Sequence, residues 1–71
     1  MLKYAVVLER GPRNWSAYVP DLPGCIATGK TRAETEKLIR EAIELHVAFV
    51  RREGQVVPEP ASETFEVAVP A

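Results

Sequence analysis

At 71 residues, with 46% apolar and 27% charged side chains, the chain has the make-up of one small folded domain and not of a disordered tract. Nine Lys and Arg against ten Asp and Glu leave a net charge of −1, too close to neutral for an electrostatic nucleic-acid binder, so no direct contact with nucleic acid is expected. No apolar run approaches the roughly 18 residues of a membrane span and no cleavable leader is recognisable, so the expectation is a cytoplasmic protein with no membrane partner.

A chain this short buries only about 60% of its unfolded surface and gains a modest stability from its own core. Cys25 is the single cysteine, which excludes an internal disulfide, and one Cys with one His cannot supply the four ligands of a structural zinc site. Neither metal nor cofactor is expected, and a protein partner becomes the favoured source of added stability.

Residues 2–9, LKYAVVLE, alternate with the period of a strand: Leu2, Tyr4, Val6 and Leu8 face one way, Lys3, Ala5, Val7 and Glu9 the other. The turn signal RGPRN follows, and WSAYVP then sets Trp15, Ala17 and Val19 opposite Ser16 and Tyr18, predicting a hairpin. Pro20 ends the second strand because it has no N–H for a ladder, and CIATG predicts a short third strand over 25–28.

Thr31 and Glu34 form the capping pattern of a helix start, and the helix is expected over 32–52, closed by Gly54 with Arg51 and Arg52 complementing its dipole. Its apolar stripe is read as Thr35, Leu38, Ile39, Ala42, His46 and Phe49, widened by Ile43, Leu45 and Val50, with Glu36 and Arg40 paired on the solvent face. His46 then reads as a packed, hydrogen-bonded core histidine. QVVPEPASE is an extended connector, and TFEVAV over 64–69 predicts a last strand with Phe65, Val67 and Val69 on one side. The expected fold is α+β, in the order β-β-β-α-β: an antiparallel three-stranded meander, a fourth strand beside the first, and one long helix packed on one face.

Catalytic chemistry finds no foothold in these residues. Cys25 has only His46 as a conceivable base and reads as a small buried hydrophobe. Asp21 is the only Asp, and the glutamates lie mainly on the helix's solvent face, so the paired carboxylates of a metal-dependent hydrolase are missing. No catalytic residue is assigned.

The run VPDLPGC is unusually stiff: Pro20 and Pro23 fix their own φ and Gly24 permits a positive one. It reads either as a plain link between strands or as a rigid corner presenting Asp21, Leu22 and Pro23 to another protein. A helix of 21 residues, about 31 Å long, outreaches strands of about 17–20 Å. A homodimer is therefore expected, through exposed strand edges in preference to a contact of Phe49 and Val50 at the helix end with Ala5 and Val7 on the sheet's back.

YAVVLE, YVPDLPGC, TGKTRAETEKLIREAIELHVAFVRREG and VPEP, spanning nearly the whole chain, resemble the N-terminal domain of HicB-type antitoxins from toxin–antitoxin pairs. The resemblance implies a partial ribonuclease-H-like fold lacking that fold's catalytic acids. It implies as partner a small, basic HicA-type toxin that cleaves RNA and is neutralised when the antitoxin covers its active surface. Many such antitoxins continue into a DNA-binding domain, of which this sequence shows none. A stand-alone RNA- or protein-binding module and a remnant hydrolase are the alternative readings.

Overall fold

Three strands of four residues each pair antiparallel in chain order, β1 (Val7–Arg10), β2 (Trp15–Tyr18) and β3 (Ile26–Gly29), followed by one helix, α1 (Arg32–Arg52). The computed structural model describes residues 1–71. Register places Leu8 opposite Ala17 and Ala17 opposite Ala27, while one residue along Val7 faces Tyr18 and Tyr18 faces Ile26. Because side chains alternate across a sheet, the first row lies under α1 and the second on the uncovered face.

The strands are shorter than their apolar alternation. Pro20 stops β2 immediately beyond Val19, so residues 2–6 have no ladder partner, although Tyr4 and Val6 still pack against the core. The β1–β2 turn is closed by the Gly11 N–H donating to the Asn14 carbonyl at 2.8 Å.

The helix begins where the capping pattern places it. Thr31 is extended (φ −124°, ψ 161°) and its hydroxyl accepts the Glu34 N–H at 3.1 Å. Glu34 in turn accepts the N–H of Lys30 at 3.0 Å, one residue upstream of the cap. At the other end Gly54 takes φ 69°, its N–H donating to the Arg51 carbonyl and the Gln55 N–H to Val50, the paired bonds of a Schellman ending. On the solvent side Glu36 pairs with Arg32 at 3.4 Å in place of Arg40, an exposed contact worth a few tenths of a kcal/mol.

The helix lies over β3 and β2 and barely touches β1. That placement turns its buried line towards Thr35, Ile39 and Val50, with Ala42, Ile43 and Val47 packed beside it. Leu38, Leu45 and Phe49 fall on the flank away from the sheet and are exposed. His46, expected in the core, is half-buried and makes no side-chain hydrogen bond, because the line of contact passes nearer Val47. Val50, expected at an oligomer contact, is buried within the chain itself.

The fourth strand does not form within the chain. Residues 64–69 join no ladder, and Phe65, Val67 and Val69 are exposed, the phenylalanine at 86%. The connector before them is tied to the body: the Tyr4 hydroxyl donates to the Pro58 carbonyl, and its ionisation is pushed up by burial and by nearby Glu59. The architecture is α+β, a three-stranded antiparallel sheet with one helix on one face.

Candidate functional site

The corner between β2 and β3 is two consecutive turns. The Leu22 N–H donates to the Val19 carbonyl at 3.1 Å and the Cys25 N–H to the Leu22 carbonyl at 3.1 Å; the Val19 N–H donates to the Cys25 carbonyl at 3.2 Å and closes the base. Pro20 and Pro23 each occupy the second position of a turn, where a fixed φ near −65° is already correct. Gly24 follows Pro23 with φ +84°, the third position of a type II turn, which is why the run ends Pro-Gly.

Leu22, between the turns, is fully buried against Ala17, Val19, Cys25 and Ile39. This corrects the expectation that it faces a partner: a corner with two prolines holds the intervening backbone so that its one large apolar side chain plugs the end of the core. Cys25 is buried beside it, as expected of a small hydrophobe, and burial pushes its thiol up, away from the thiolate a nucleophile needs.

Asp21 also has a use inside the chain. Its Oδ2 accepts the N–H of Ala61 and of Ser62, both at 2.9 Å, and its Oδ1 accepts the Ser62 hydroxyl at 2.9 Å. These bonds, Ala61's first, hold the carboxyl below its ordinary range. Asp21, expected to meet a partner, anchors within the chain the connector that follows the helix.

What the corner leaves to solvent is Pro20, Pro23 and Gly24, flanked by Tyr18 and Ile26 at the strand ends that enter and leave it. Tyr18 is 41% and Ile26 68% exposed, and they are cross-strand neighbours on the face that α1 does not cover, in one row with half-buried Val7. Ala5 is half-buried as well, and Phe49 stands apart on the helix flank with the Arg52 guanidinium 5.7 Å from its ring centre. Asp21 and Leu22 thus brace the corner from within, while Tyr18 and Ile26 supply its apolar margin.

Gly29 escaped the reading of the residues. A Cβ there would lie 2.6 Å from Thr35 Oγ1, so only glycine lets the first turn of α1 close on β3. Thr35 itself is fully buried and donates its hydroxyl to the Thr31 carbonyl at 2.8 Å. No group of three or more His, Cys, Asp or Glu side chains is gathered as metal ligands would be, and no helix is long and apolar enough to cross a membrane.

The family model for the HicB-like antitoxin of bacterial toxin–antitoxin systems matches residues 4–70. The chain belongs to that family. It is similar to a UPF0150 protein of Thermoplasma acidophilum, at 30% identity over 93% of this chain and 97% of the relative. It is also similar to a UPF0150 protein of Helicobacter pylori, at 34% identity over 72% of this chain and 82% of the relative. The match to the HicB-like family takes in the corner, the helix and the exposed segment after it, and membership of that family suggests a toxin–antitoxin role.

Proposed function

We propose that this HicB-like chain binds a small, basic HicA-type ribonuclease toxin and neutralises it by covering the toxin's RNA-cleaving surface. The family match over residues 4–70 carries the reading. Its docking surface is the corner, with Tyr18, Pro20, Pro23 and Ile26 as contacts on backbone already held by three turn bonds and by Asp21. A preorganised corner loses little entropy on binding, and an exposed aromatic beside an exposed isoleucine is the kind of pair that anchors an interface once desolvated.

Calorimetry and an RNA-cleavage assay with a small basic HicA-type toxin test the reading. The expected result is a stoichiometric complex in which RNA cleavage stops, with Ile26→Asp lowering the affinity at least tenfold while thermal stability is unchanged. A toxin that cleaves RNA undiminished in the presence of excess parent protein overturns it.

A further inference from the structure

The helix covers β2 and β3 but leaves the β1 side of the sheet open. Tyr4, Val6, Leu8, Ile39 and Ile43, together with Glu36 and Arg40, line a mainly apolar groove of about 340 Å³ between β1 and α1, the position a fourth strand's side chains would cover. The outer edge of β1 has no backbone partner. Across an open cleft of about 700 Å³ from Val6, Val7 and Leu8 stand the chain's own Thr64, Phe65 and Glu66. The segment that reads as a strand is therefore beside the vacant edge without pairing with it, and the Asp21 bonds tie its root at Ala61 and Ser62 to the β2–β3 corner.

Residues 56–71 make no backbone–backbone hydrogen bond, and Phe65, Val67 and Val69 present one apolar side to solvent. The accessible surface is 5887 Å², against about 4,400 Å² for a compact monomer of this mass. The excess, about 1,500 Å², is more than the roughly 800 Å² per partner that a stable interface removes. The radius of gyration tells the same story, at 13.8 Å against about 11 Å for a compact chain of this length. Charge divides along the same line: residues 53–71 hold Glu53, Glu59, Glu63 and Glu66 with no Lys or Arg, while residues 1–52 hold nine basic against six acidic side chains, including Arg32 at the cleft.

We propose that two copies of this chain exchange residues 64–69, each copy's segment entering the cleft beside the other's β1 and laying Phe65, Val67 and Val69 over the groove between β1 and α1. The occupant is a second copy because the missing element is present in the chain itself, stands across the cleft from its own edge without pairing, and carries the charge that complements the body. The contact is self-complementary, since each copy gives one strand and receives one, as a two-fold axis requires. Flanked by β1 on one side and the receiving copy's own segment on the other, the inserted strand is central and needs its N–H groups on both sides.

Sedimentation equilibrium at micromolar concentration, joined to amide hydrogen exchange, tests this with the full chain and with Val67→Pro. Val67 is exposed and unpaired in the single chain, so the substitution leaves the fold intact, with an unchanged helical circular dichroism spectrum as the control. The expected mass is twice the 7.9 kDa of one chain for the parent and a single chain for Val67→Pro, with amides 64–69 protected in the parent alone. A parent that sediments as a single chain overturns the proposal. So does a parent dimer whose amides 64–69 exchange freely, or a Val67→Pro protein that remains paired.

Discussion

The Asp21 carboxylate takes both the backbone N–H and the hydroxyl of Ser62, each at 2.9 Å, joining residues that lie 41 apart in the chain. Because these bonds favour the charged form, the group's ionisation in the fold lies below the ordinary carboxylate value of about 3.9. Its contribution to the clamp is then complete above that unfolded value and is lost as pH falls through the lowered folded one. Amide exchange at Ala61 and Ser62 reads this directly: protection persists through mildly acid solution and disappears in strong acid. In Asp21→Ala it is absent at every pH, and equal protection in parent and variant near neutrality would show that the clamp does not hold in solution.

Leu22 and Pro23 are neighbours with opposite surroundings, one fully buried and one exposed. Leu22→Ala removes the plug of a five-residue buried cluster and should destabilise the fold by about 2–5 kcal/mol, enough to leave much of a small domain unfolded. Pro23→Ala loses only the restriction of the unfolded chain, about 0.4–1 kcal/mol. Denaturant titration separates the two, and equal midpoints would mean that Leu22 does not fill the core.

Glycine is required at two positions for different reasons, and a double-mutant cycle distinguishes them. Gly24 has open space around its missing Cβ but a φ of +84°, so Gly24→Ala pays backbone strain of about 1–2 kcal/mol that no second substitution relieves. At Gly29 the obstacle is Thr35 Oγ1, and Gly29→Ala should destabilise by about 1–3 kcal/mol. Combining it with Thr35→Ala removes the obstructing atom, so the pair should destabilise less than the sum of its parts. Strict additivity would place the strain at Gly29 elsewhere.

Much of this fold is local and was legible for that reason. Thr31 with Glu34, and Gly54 behind Arg52, mark the ends of α1 because capping bonds join residues three to five apart, and the alternation of WSAYVP puts Ala17 and Val19 on one side of the strand. The double turn of VPDLPGC follows from two fixed proline φ values and one glycine. The bonds from Asp21 to Ala61 and Ser62 were not legible, since nothing in a polar ASE triplet indicates which distant carboxylate will meet it.

The amino-acid sequence by itself determined a three-stranded meander, a capped 21-residue helix and a rigid proline corner, because each depends on dihedral preferences and hydrogen bonds within a few residues. Only the tertiary structure decided which apolar residues are used. Seating α1 over β2 and β3 packs Ile39 into the core and leaves Leu45 and Phe49 in solvent. The same placement leaves the edge of β1 bare, while Thr64, Phe65 and Glu66 of the strand-like segment stand across a cleft from it. Periodicity states that a segment has an apolar side; what that side meets depends on where the rest of the chain has already been placed.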